Sequence, residues 1–134
     1  MLPFTWETLR LFLHIVAATI WVGGQLTLGA LVPTLRSMGA QAPKAAAQRF
    51  NQVAWPAFAV LVLTGIWNIV AEGDKQSDPG YQATLGIKMA LVLLSGVSAF
   101  LHTRAKTRAS LAVWGAVAGL SALGATLFGV LLAG

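Results

Sequence analysis

Two ionisable side chains, His14 and Lys88, each lie inside an apolar stretch of this 134-residue chain. An ionisable group in the hydrocarbon region of a membrane costs about 2.5–3.5 kcal/mol on insertion scales, so it usually faces a bundle interior and serves a function. Histidine is a common metal ligand, and lysine carries a compact positive charge. The two residues are therefore a candidate binding site.

The composition indicates a membrane protein. The chain is 57% hydrophobic and only 10% charged, whereas soluble proteins have about 25% charged residues. Cysteine is absent, which excludes disulfides, thiolate metal sites and cysteine nucleophiles. The net charge of +5 comes from basic residues in predicted loops, so we expect a lipid bilayer and no nucleic acid as partner.

Four apolar segments must position the two residues. They cover about residues 9–32, 53–71, 82–101 and 110–132. Each has the roughly 20 residues that cross a hydrocarbon core about 30 Å thick. None alternates as a strand would, and helices satisfy every backbone group within lipid. The sequence therefore predicts an all-α integral membrane four-helix bundle in a single domain, residues 1–134.

The predicted loops indicate the orientation. Loops 33–52 and 102–109 each carry three basic residues, whereas loop 72–81 is net acidic. Basic loops stay on the cytoplasmic side of a membrane. We therefore expect both termini, and the middle loop, on the outer side.

His14 and Lys88 are predicted at one depth. His14 lies about five residues into the first helix and Lys88 about six into the third, roughly 8–9 Å along each axis. Asn68, near the outer end of the second helix, falls in the same layer. Trp21 shares the helix face of His14, because seven residues are close to two turns. The sequence predicts that His14, Lys88 and Asn68 converge in the outer leaflet.

His102 is separated from this layer. It lies fourteen residues beyond Lys88, about 21 Å further along the same helix, so one metal or haem cannot be held by both histidines. An interfacial histidine beside Arg104 and Lys106 is the main interpretation, and a second ligand site is the alternative. Two structural alternatives also stay open: Lys88 snorkels to the outer interface, or His14 only forms a hydrogen bond between helices.

Small residues on the first and last helices predict close packing. Gly115 and Gly119 form a pair that lets another helix approach, either within the monomer or in a homodimer. Gly23 and Gly24, with two alanines before them, leave space beside His14. That space suits a flat cofactor or a neighbouring helix.

Short runs along most of the chain resemble the copper resistance protein D (CopD) superfamily. They are His14-Ile15, Trp21-Val22-Gly23-Gly24, Leu31-Val32-Pro33 with Arg36, Arg49-Phe50, Leu63-Thr64-Gly65-Ile66-Trp67 and Leu85-Gly86-Ile87-Lys88. The superfamily includes the HemJ-type protoporphyrinogen oxidases, which are small haem b proteins. The resemblance implies that His14 ligates haem iron, that Lys88 is needed for activity, and that the protein lies in a bacterial inner (plasma) membrane.

The chain departs from the HemJ-type pattern at its third helix and at the end of its first. Gly86 stands where those proteins tend to have a histidine shortly before the lysine. Pro33 and Arg36 are separated, whereas the corresponding proline and arginine are adjacent in those proteins. The resemblance therefore supports the superfamily more strongly than a particular activity.

Three functions stay open. The first is a haem b redox protein with His14 as axial ligand, Trp21 beside the ring, and Lys88 paired with a propionate. As an enzyme it would oxidise a tetrapyrrole, with Lys88 catalytic and Asn68 near the cofactor, and pass electrons to a membrane quinone. The second is copper transport or resistance through His14 and His102, although Cu(I) prefers Cys and Met and only three methionines are present. The third is a non-catalytic membrane subunit.

Overall fold

The chain folds into helices without a strand. The computed structural model describes all residues, Met1–Gly134. Four helical spans are long and apolar enough to cross a membrane: Trp6–Ser37, Ala42–Ala71, Pro79–Arg104 and Arg108–Ala133. The predicted all-α membrane fold is confirmed. The side that each terminus faces stays a prediction.

Two compact units make up the chain, Met1–Ala71 and Glu72–Gly134. The first unit begins with a span built from α1 (Trp6–Ala18), a π-helical turn (Thr19–Gly23) and α2 (Gly24–Ser37). This span packs against α3, residues Ala42–Ala71. The connection of a few residues makes the two spans antiparallel.

The second unit is also a helix pair. A short 3₁₀ helix, Gly73–Ser77, leads into α4 (Pro79–Arg104), which packs against α5 (Arg108–Ala133). The carboxylate of Asp78 caps α4 by accepting a hydrogen bond from the Gly80 amide at 3.0 Å. Such caps satisfy amide groups that have no partner inside the helix. The expected single domain stays a prediction.

The helices of the first unit extend beyond the predicted apolar segments. The expectation that the first helix ends at Pro33 is wrong, because α2 continues to Ser37. A proline removes one backbone hydrogen bond, and long membrane helices tolerate that loss. The predicted loop 33–52 shrinks to residues 38–41. There Gly39 adopts a φ of 138°, a conformation that favours glycine.

The helix α3 begins earlier in the chain than predicted, because its first turns are polar. Its first turns contain several alanines together with Lys44 and Arg49, so they fall outside an apolar window. Alanine is the strongest helix former, and the helix therefore begins at Ala42. The two helices of the second unit are each only slightly longer than the predicted segments 82–101 and 110–132.

Small residues join α4 to α5. The buried Ser95 hydroxyl donates to the Ala118 carbonyl oxygen across the two helices at 2.9 Å. A Cβ at Gly124 would lie 3.1 Å from Leu91 Cδ1. The small-residue face of the last helix thus packs within the chain at these positions. A Cβ at Gly119 would meet nothing within 4 Å, and the homodimer stays a prediction.

Candidate functional site

His14 lies in the seam between α1 and α3. Its Nδ1 is 2.8 Å from the hydroxyl oxygen of Thr64, which is only 4% exposed. The ring also faces Gly65, where a Cβ would lie 3.8 Å from His14 Cε1. A flat ring therefore rests against a position that carries no side chain, and one ring nitrogen has a fixed partner on the neighbouring helix.

The hydroxyl of Thr64 favours one tautomer of His14. Thr64 Oγ1 lies 2.7 Å from the Val60 carbonyl oxygen, four residues back on its own helix. A hydroxyl has one proton. When Thr64 donates that proton to this carbonyl, its oxygen can accept a hydrogen bond from His14 Nδ1–H. The lone pair of the neutral imidazole then lies on Nε2, a nitrogen that can coordinate a metal.

Further polar side chains surround the layer of His14. Arg10, four residues before His14 and on the same helix face, is only 5% exposed, and its Nη2 lies 3.6 Å from Glu7 Oε1. Asn68, four residues after Thr64, has a buried Oδ1 without a hydrogen-bond partner. The part of this seam that contains the start of α1 and the end of α3 is therefore polar on both helices.

Trp21 is packed inside the first unit. It is 2% exposed, lies within the π-helical turn, and has its ring centroid 4.5 Å from that of Phe58 and 5.1 Å from that of Trp55. Aromatic pairs at this spacing stabilise a core. The cluster closes the α1–α3 seam about two turns beyond His14. The predicted contact of Trp21 with a cofactor stays a prediction.

Lys88 lies in the seam of the second unit. Its half-buried ammonium packs against α5 at Gly129, where a Cβ would be 3.3 Å from Nζ. It forms no hydrogen bond or ion pair within the chain. An ammonium within an apolar span is costly unless an anion accompanies it. Because His14 and Lys88 belong to different units, their expected common layer stays a prediction.

His102 forms a hydrogen bond between α4 and α5. Its Nδ1 donates to the Leu111 carbonyl oxygen at 2.8 Å. A Cβ at Gly115 would lie 3.2 Å from His102 Nδ1 and Cε1, so the missing side chain makes room for the ring. The contact gives His102 a structural role, and a second ligand site there stays a prediction.

The chain has few clustered side chains that could coordinate a metal. No group of three or more His, Cys, Asp or Glu side chains could hold a metal ion. Two residues of this seam, Arg10 and Thr64, were not predicted as part of the site. The spacing of four between Arg10 and His14 was a usable signal for the former. Thr64 belongs to a run that resembles the CopD superfamily, but its contact with His14 was not predictable, because a contact between helices depends on their register.

A family comparison identifies the chain. The family model of copper resistance protein D matches residues 44–133, about two thirds of its length. The chain belongs to the CopD family. Thr64, Asn68 and Lys88 lie within the range that matches CopD, whereas His14 and Trp21 precede it. No curated protein and no solved structure gives a significant match.

Proposed function

We propose that this CopD-family membrane protein binds haem b, with Nε2 of His14 as an axial ligand of the iron. The observation that carries the proposal is the hydrogen bond between His14 Nδ1 and the Thr64 hydroxyl. Histidines that bind metals typically donate their other ring N–H to an oxygen, which fixes the tautomer and the ring orientation. This chain provides that arrangement inside a membrane span.

The donor set fits haem better than a bare copper ion. Haem brings four nitrogen ligands of its own, so one protein imidazole is enough to hold it. A copper ion needs several protein ligands, with Cys and Met favoured for Cu(I). His14 has no second histidine within its own unit, and the chain has no cysteine. Bound haem would supply one-electron redox chemistry.

The surrounding residues would position the ligand and exclude water. Thr64 would hold the imidazole plane, and Gly65 places no side chain beside Cε1 of the ring. Trp21 packs against Phe58 in the seam, about two turns further along the chain than His14. The amide oxygen of Asn68 is buried without a donor, and a protonated carboxyl group or a bound water would satisfy it.

Lys88 adds a separate argument within the second unit. Its ammonium has no anion partner among the residues of that unit, and tetrapyrroles carry carboxylates that would pair with it. Together with the redox chemistry of a bound haem, the reaction class that we propose is the oxidation of a tetrapyrrole. Each two-electron oxidation would remove two hydrogen atoms from the tetrapyrrole and reduce one membrane quinone to a quinol.

The absorption spectrum of the purified, membrane-extracted protein tests haem binding. We expect a Soret band in the wild type, its loss in His14→Ala, and its retention in His102→Ala. His102 is a matched control, because its Nδ1 also donates to an oxygen on a neighbouring helix. An unchanged Soret band in His14→Ala would contradict the ligand assignment.

The same variants separate the remaining functions. Protein without a Soret band that takes up copper through His14 would favour copper handling, to which the CopD family name refers. Protein that binds neither group, and in which His14→Ala only lowers stability, would support a structural subunit. Either result would overturn the haem proposal.

A further inference from the structure

An open groove lies on the surface of the first unit, apart from His14. Its volume is about 750 Å³, and it runs between the π-helical turn and start of α2 on one side and α3 on the other. The lining is mostly apolar. Ligand sites in proteins span about 300–1,000 Å³, so the groove is large enough for part of a small amphiphile.

Small residues create the groove. A Cβ at Gly23 would meet nothing within 4 Å, whereas a Cβ at Gly24 would collide with the Phe50 ring. Phe50 therefore fills the space beside Gly24 and leaves the space at Gly23 open. The hydroxyl of Thr19 donates to the Val16 carbonyl oxygen at 2.7 Å, so this wall offers little polarity to a ligand.

One cationic side chain lines the groove. Arg49 is exposed, and its Nη1 donates to Gln52 Oε1 at 2.7 Å. A guanidinium has five donors, so this bond leaves several available. Arg49 lies one turn before Val53, where the apolar segment of α3 begins. A long basic side chain at such a position reaches the level of the lipid headgroups.

We propose that this groove binds one anionic phospholipid, with an acyl chain between the two helices and the phosphate at Arg49. The apolar walls match the chain, and the guanidinium matches the phosphate in charge and in bidentate geometry. Basic residues next to a membrane span favour one orientation of that span and need no bound ligand to explain them. The groove distinguishes Arg49 from the other basic residues, since Arg36 and Lys44 do not line it.

Lipid retention tests the proposal. The full chain is reconstituted in vesicles of phosphatidylcholine and phosphatidylglycerol, extracted in mild detergent, and analysed for the lipid that stays bound. A basic residue near an anionic surface contributes enough to enrich phosphatidylglycerol about fivefold over the vesicle composition. We expect Arg49→Gln to bring this enrichment close to one, and Arg36→Gln to preserve it.

Groove-filling variants provide the second arm. Gly23→Leu should remove the retained lipid, whereas Gly29→Leu should not, because a Cβ at Gly29 also meets open space but lies outside the groove. Thr27→Leu fills the groove from α2 and serves if Gly23→Leu loses helicity. Equal retention of the two lipids by the wild type, or equal effects of Arg49→Gln and Arg36→Gln, would refute the proposal. Retention of neither lipid by the wild type would also refute it.

Discussion

Replacing Thr64 with valine tests how the chain prepares His14. Valine keeps the shape of threonine but accepts no hydrogen bond, so His14 Nδ1–H loses its 2.8 Å partner. A buried donor without an acceptor costs about 1–3 kcal/mol. The imidazole is half-buried, which places the cost near the lower end. The ring then gains freedom to rotate and to change tautomer.

The expected effect on the haem ligand follows from this cost. Loss of an outer partner of a metal-binding histidine typically weakens metal affinity about 10–100-fold. About 1.4 kcal/mol corresponds to tenfold, so we expect haem to bind about tenfold more weakly in Thr64→Val. Titrating haem-free protein with haemin in detergent micelles, and following the Soret band, measures this ratio directly.

Two further variants make the titration decisive. Thr126→Val removes a hydroxyl that also donates to the carbonyl four residues back, at 2.9 Å, but contacts no histidine. It should leave haem affinity unchanged. Thr64→Ser keeps an acceptor and should recover most of the affinity. Wild-type affinity in Thr64→Val would refute the tautomer assignment, and so would an equal loss in Thr126→Val.

Three other predictions concern the second unit. Ser95→Ala should lower the unfolding free energy by about 0.5–1.5 kcal/mol, because it removes a buried hydrogen bond between helices. The control Ser37→Ala should not lower it, and equal denaturation midpoints of the two variants would contradict the prediction. Gly115→Ala should destabilise the wild type, because the added methyl group would crowd the His102 ring. In the His102→Ala background the same change should stabilise the protein through helix propensity. A double-mutant cycle with no coupling would exclude the contact between Gly115 and His102. Lys88→Met should raise the stability of the ligand-free protein by about 1 kcal/mol while weakening tetrapyrrole binding, and a lower melting temperature would show that the ammonium already has a partner.

The spans could be predicted because lipid imposes a strong constraint on sequence. A membrane helix needs about 20 apolar residues, and each of the four spans carries that signal. The ends were less predictable. Pro33 reads as a helix end and Lys44 as part of a loop, yet both lie within helices. Hydropathy detects the part of a helix that meets lipid, not the turns that continue beyond it.

The candidate site could be predicted only in part. His14 and Lys88 stand out because charges in apolar segments are rare. Their partners did not, because Thr64 and Gly129 are common residues in such helices and become informative only through the register of two packed helices. Arg10 was not predicted as part of the site, although the structure buries its side chain in the same span as His14.

The π-helical turn at Thr19–Gly23 holds one residue more than the α-helical turns on either side of it. One residue corresponds to about 100° of rotation in an α-helix, and the wider turn takes up this extra residue, so the faces of α2 keep their orientation relative to those of α1. Deleting one residue there would let the helix become regular, while the contact of His14 with Thr64 and the approach of Gly24 to Phe50 would both persist. A deletion at this turn, which lies beside the groove, is thus a route by which related proteins could reshape the groove without altering the histidine.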